Sequence, residues 1–214
     1  MRSRFDEQLA SLKNELIEIG ALCEEAISLA SRSLTECDTE LAASIAPLDG
    51  DIDRKEREAE GICLRLLLQQ QPVARDLRQV SAALKMITDM KRIGDQAQNI
   101  AEIVQIIDGV RPADSDTMRA MAEATIGMVT MCVDAYVKQD VNLANKVVAA
   151  DDTVDDCFGK VKSRLIEEIR NDPTCGEYAL NLLMIAKYFE RIGDHAVNIA
   201  GWVTFSVTGE HKEG

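Results

Sequence analysis

The chain has 214 residues, 46% apolar and 29% charged, with only four prolines, a composition that supports a packed core and argues against a disordered chain. Its formal net charge of −13 argues against a nucleic-acid partner, because affinity for phosphate backbones comes from Lys and Arg displacing counterions, and it equally disfavours adhesion to anionic lipid. Such a surface suits cations or a basic protein patch, and aromatics at 4% leave the core to aliphatic side chains.

The opening "MRSRFDEQLASLKNEL" is charged and heptad-like, not the apolar core of a secretion signal, and no run reaches the roughly 20 apolar residues that span a bilayer. A cytoplasmic chain without membrane insertion is the expectation. Hydrophobic periodicity is helical throughout and predicts six long helices, at about 4–36, 39–70, 73–108, 115–138, 141–170 and 174–208, most of them about 45–50 Å long. Asp38 and Asp140 stand where an N-cap would open the second and fifth helices, and Asp172 followed by Pro173 gives a cap and proline start to the sixth. Pro72 marks the equivalent turn before the third. "GVRPADSD" (109–116) is the one segment with linker chemistry, so the chain divides into a first three-helix bundle at 1–110 and a second at 111–214. Cys23, Cys37, Cys63, Cys132, Cys157 and Cys175 have no paired spacing and read as reduced thiols.

The two halves are written alike. "KRIGDQAQNIA" (91–101) returns as "ERIGDHAVNIA" (190–200), 99 positions on. The apolar seam Met86, Met90, Ile93, Ala97, Ile100, Val104, Ile107 returns, over its first six positions, as Ile185, Phe189, Ile192, Ala196, Ile199, Val203, so the repetition extends to packing. Upstream, "TECDTELAASIAPLDGDID" (35–53) matches "VKQDVNLANKVVAADDTVD" (137–155) at an offset of 102, and the difference of three falls between helices.

A residue two places after a seam position points about 200° away from it. Asp95 and Asp194 therefore face away from their bundle's own core, with Glu190 one turn before Asp194, and Asn99 and Asn198 one turn beyond the two aspartates. The second helix of each repeat carries Asp49 with Asp53, and Asp151 with Asp155, again four apart. Like charges at that spacing disfavour a helix unless something cationic lies between them. Two such strips facing each other offer four carboxylates to a hard cation such as magnesium, manganese, calcium or iron. A plain alternative stands beside this: with 37 acids in 214 residues, an i+4 acid pair arises about one time in six by chance. Arg92 and Arg191, three before Asp95 and Asp194, account for R-x-x-D as ion pairs without any metal. Gly94 and Gly193 inside helices imply close approach of a neighbouring helix. His195 and His211 are the only histidines, and His195 reads as a surface residue or as support for a ligand. No phosphate loop, G-x-S-x-G or H-E-x-x-H occurs, so an enzyme is not expected.

The text "QPVARDLRQVSAALKMITDMKRIGDQAQNI" (71–100) and "LLMIAKYFERIGDHAVNIAGWVTFSVTGEH" (182–211), with the second-helix lines around Asp49 and Asp151, resembles the PhoU family of phosphate-uptake regulators over almost the whole chain. The resemblance implies an all-α fold of two repeated three-helix bundles related by pseudo-twofold symmetry. It implies a non-enzymatic negative regulator of phosphate uptake and the phosphate-starvation response, linking the ATPase-driven Pst transporter to a PhoR-type histidine kinase. The location implied is cytoplasmic, peripheral to the inner membrane through these partners, and the assembly a homodimer or larger. It further implies surface metal clusters, of iron, zinc, manganese or magnesium, on E/D-x-x-x-D motifs. Carried onto this sequence, the motif is complete at Asp151, Asp155, Glu190 and Asp194. The first repeat keeps Asp49, Asp53 and Asp95 but has Lys91 in place of an acid, so its site is expected to be weak or vacant. Asn99, Asn198, Arg92 and Arg191 are the expected supporting or docking residues. A carboxylate-based metal store is the alternative of a different class, and a purely structural scaffold a third.

Overall fold

The second predicted helix is broken. A short α2 (Thr39–Ala43) ends at Ser44, and α3 (Ile45–Gln70) then begins. Pro47 has no N–H to give the Ala43 carbonyl, so the ladder fails one turn before it. Ser44 fills the gap locally: its hydroxyl donates to Leu41 O at 2.6 Å and its N–H is shared between Glu40 O and Leu41 O. In the second repeat the matching positions are Lys146 and Ala149, and the helix α6 (Val141–Asn171) runs through.

The remaining elements of this computed structural model, which describes residues 2–70, 73–107 and 115–210, are α1 (Arg2–Glu36), α4 (Ala74–Ile107), α5 (Ser115–Lys138), a 3-10 turn at Pro173–Cys175 and α7 (Gly176–Thr208). Pro72, residues 109–114 of the expected linker and His211 lie outside the described residues. Asp38 accepts from Leu41 N–H at 2.8 Å, Asp140 from Asn142 and Leu143 N–H, and Asp172 from Thr174 N–H, so all three expected caps form. Before two of them the chain turns through a left-handed residue, Cys37 (φ 57°) and Gln139 (φ 55°), 102 positions apart. In each case the following N–H reaches back five residues, Asp38 to Ser33 O and Asp140 to Ala135 O, the closure of a Schellman cap.

Helices α1, α3 and α4 pack together, as do α5, α6 and α7, and the two groups meet along α4 with α7 and α1 with α5. Both contacts are antiparallel. Arg78 near the start of α4 lies beside Gly209 beyond the end of α7, and Lys13 of α1 donates to Val137 O near the end of α5. Every seam residue from Met86 to Val104 and from Ile185 to Val203 is buried, and the buried side chains form one continuous cluster through both repeats. Helix α5 meets the length and apolarity of a membrane span, which reading for an unbroken apolar run did not reveal; half of its most apolar window is buried inside the protein. Its inward stripe of Met118, Met121, Met128, Cys132 and Tyr136 accounts for that apolarity. All six cysteines are free thiols.

Candidate functional site

The aspartates of α3 and α6 are held against α4 and α7 by the two glycines. A Cβ on Gly94 would lie 2.9 Å from Ile52 Cδ1 and 3.2 Å from Asp49 Oδ1. One on Gly193 would lie 2.7 Å from Asp151 Oδ1. The expected close approach is therefore made by Ile52 with Asp49 in the first repeat and by Asp151 in the second, and the R-I-G-D line is the floor on which both aspartates rest.

In the first repeat Lys91 Nζ lies 2.6 Å from Asp95 Oδ1 and 2.9 Å from Asp53 Oδ1, the latter an ion pair whose alignment falls short of a hydrogen bond. Arg92 adds a contact of 3.2 Å to the other oxygen of Asp95. Burial works against the charge on Lys91, but Asp95 and Asp53 outweigh it and its pKa is raised. The Asp49 carboxyl is pushed up by burial, pulled back by Lys91 and pushed up again by Asp95 and Asp53; its Oδ1 is buried without a partner.

In the second repeat, among the described residues, no ammonium sits among the acids in that way. Burial first, then Asp155, Asp194, Glu190 and Asp152, push Asp151 from its ordinary 3.8 up to about 6, and its Oδ1 too is buried and unpartnered. Glu190 pairs instead with Lys187, one turn back on the same helix, in an ion pair not aligned as a hydrogen bond. Lys187 also stands over the Phe158 ring, 5.5 Å from its centroid. Asp194 is exposed, and among the described residues Arg191 makes no ion pair with it. The R-x-x-D ion pair read from the sequence forms in one repeat only.

The oxygen-only set of Asp151, Asp155, Glu190 and Asp194 fits a hard cation in kind, and the orphaned Asp151 Oδ1 is the atom that would gain most from one. Among the described residues, no three Asp, Glu, His or Cys side chains gather closely enough to grip a single ion. In the first repeat the Lys91 ammonium already occupies the place between the acids.

The two R-I-G-D lines share one cleft of about 480 Å³ at the repeat junction. Helix α3 contributes Asp49; α4 contributes Arg92, Asp95, Gln96, Gln98 and Asn99; α7 contributes Arg191 and His195. Asn198 does not line it, and instead donates to Asp89 at 3.4 Å. His195 Nδ1 meets the same Asp89 oxygen at 3.0 Å, which fixes α7 to α4 across the junction. Four contributors were missed from sequence: Asp89, Lys187, Gln96 and Gln98. Among the described residues Asp89 pairs only with the other repeat, so no spacing within its own line reveals it, whereas Lys187, at i−3 from Glu190, was legible. Gln96 stands opposite His195 in the repeat alignment and carried no charge to draw notice.

A model of the PhoU domain matches the chain twice, at residues 16–104 and 118–203. The chain belongs to the PhoU family. It is 36% identical, over 96% of its length and 87% of the relative's, to a phosphate-specific transport system accessory protein PhoU homolog of Zymomonas mobilis. It is 33% identical to the homolog of the same name in Synechocystis sp., over 99% of this chain and 94% of that one. Among crystal structures, PhoU from Pseudomonas aeruginosa superposes with a TM-score of 0.91 at 31% identity, covering 96% of this chain and 100% of the other. The phosphate transport system regulatory protein PhoU from Streptococcus pneumoniae shares the fold, with a TM-score of 0.89 over 98% of this chain and 99% of that one at 24% identity. The two family matches divide where the two sequence lines repeat.

Proposed function

We propose that this chain is a negative regulator of phosphate uptake and of the phosphate-starvation response, and that it works by binding and not by catalysis. It restrains a Pst-type phosphate transporter when phosphate is plentiful and couples the transporter's ATPase to a PhoR-type histidine kinase. It does so as a homodimer or larger assembly on the cytoplasmic side of the inner membrane, held there by its partners. The observation that carries this reading is the double family match over almost the whole chain, together with relatives named as accessory proteins of phosphate-specific transport. The test is a deletion strain grown in high phosphate. Constitutive alkaline phosphatase that the wild-type gene restores to repression supports the regulator; unchanged phosphatase with altered iron tolerance supports a metal store instead.

A cation at the second repeat belongs to the same reading. The unpartnered, acid-crowded Asp151 favours it, with Asp155, Glu190 and Asp194 completing the oxygen set. The first repeat, with Asp49, Asp53 and Asp95 around Lys91, is weak or vacant. Elemental mass spectrometry on protein purified without chelator is expected to find metal that falls sharply in Glu190→Ala/Asp194→Ala. Equal occupancy of both repeats in a metal-soaked crystal would contradict the asymmetry.

A further inference from the structure

The junction cleft holds chemistry that a cation site does not use. Three of its buried acceptor oxygens, Asp49 Oδ1, Gln96 Oε1 and Gln98 Oε1, have no partner. Gln96 is the telling one: the residue is only 7% exposed, and native structures leave very few such groups without a donor. The same cleft carries strong donors. Arg191 has no ion pair or hydrogen bond with another described residue, and Arg92 enters from the equivalent position of the other repeat. Asp95 is held by Lys91 and by one nitrogen of Arg92, whose other N–H groups make no hydrogen bond or ion pair with a described residue.

A bare cation would satisfy the oxygens and be repelled by the guanidinium groups. A fully deprotonated oxyanion would suit the guanidinium groups and meet the orphaned oxygens as a second set of acceptors. Hydrogen phosphate suits both kinds of group, since its anionic oxygens accept from arginine while its one remaining proton can be donated to one of the orphaned oxygens. Sulfate has no such proton at neutral pH, and a phosphomonoester, with its second pKa near ~6, has mostly lost it.

We propose that the cleft between the two R-I-G-D lines binds inorganic phosphate, with Arg191 and Arg92 on its anionic oxygens and Gln96 Oε1 accepting its proton. This deepens the regulatory reading and rests on it for its meaning, because it would let the chain register phosphate directly. The test is isothermal titration of the whole chain at neutral pH and constant ionic strength, with chelator present, using sodium phosphate, sodium sulfate and AMP in turn. Saturable binding of about one phosphate per chain is expected, with sulfate and AMP weaker by about tenfold or more, the loss of one charge-assisted or buried hydrogen bond. Arg191→Gln, at an exposed position that leaves folding alone, and Gln96→Leu are each expected to weaken phosphate by a similar factor. Sulfate binding as tightly as phosphate, phosphate binding unchanged in Arg191→Gln, or no binding at millimolar phosphate would overturn the proposal. The deletion strain reads out regulation independently, so a failed titration beside a constitutive phosphatase removes the phosphate site and leaves the regulator standing.

Discussion

The two repeats solve one electrostatic problem in opposite ways. Each presses an aspartate from its second helix against a glycine of its third, Asp49 on Gly94 and Asp151 on Gly193, and each surrounds it with further acids. The first repeat carries its own counter-charge, the Lys91 ammonium between Asp53 and Asp95. The second places Glu190 at that position and directs its nearest lysine, Lys187, along its own helix and over Phe158. One residue in a duplicated line therefore divides a self-neutralised site from one whose central carboxyl is left at about 6. The counter-charge of the first site is tethered to the chain, whereas among the described residues the acids around Asp151 have no ammonium placed between them in that way.

Exchanging the two residues is the largest test of this contrast. Lys91→Glu is expected to cost about 2–4 kcal/mol in chelator, because it strands Asp53 and Asp95 beside a further acid, and manganese is expected to restore much of the melting temperature. Glu190→Lys is expected to be neutral or stabilising in chelator and to abolish the manganese response of the second repeat. Identical manganese responses in the two variants would end the comparison.

Asp151 gives a smaller, pH-dependent effect. Its folded pKa is raised, so between about 3.8 and about 6 the native state holds more proton than the unfolded chain, and stability falls as pH rises through that window. Asp151→Asn is therefore expected to melt higher than the wild type at pH above ~7, by about 1 kcal/mol after allowance for solvent screening. The difference should vanish below about pH 4, and manganese should narrow it at high pH. Thermal melts across the pH range check both points.

The left-handed turns sharpen the contrast on a finer scale. Cys37 has only a long 4.0 Å thiol contact to Leu34 O, so Cys37→Gly is expected to stabilise by about 0.5–1 kcal/mol. Gln139 donates to Tyr136 O and accepts from Gln79, so Gln139→Gly should gain less or nothing. Smallest of all, Arg92→Ala is expected to lose a few tenths of a kcal/mol with its exposed contact to Asp95, while Arg191→Ala leaves stability unchanged in chemical denaturation.

Most of the fold was legible because its determinants are local. Seam periodicity and the Asp38, Asp140 and Asp172 caps each act within a turn or two of chain. The broken second helix was also local, since Pro47 stands in "IAPLDG", but the strength of the surrounding periodicity hid it. The site was legible in its acids and in the Lys91 substitution. Its junction was not: the pairing of Asp89 with His195, and the orphaned Gln96, depend on α4 meeting α7 about a hundred residues later, and no spacing within one repeat encodes that meeting.

The continuous core has a consequence for the order in which the chain can mature. On the ribosome, α1 to α4 emerge while α5 and α7, the partners of α1 and α4, are still to be made. At about 5–20 residues per second, the apolar faces of those two helices wait roughly 5–20 seconds for cover. Long-range docking of that kind is slow to nucleate and open to rescue by holdase chaperones, so the nascent chain is at its most vulnerable to aggregation with half its sequence already written.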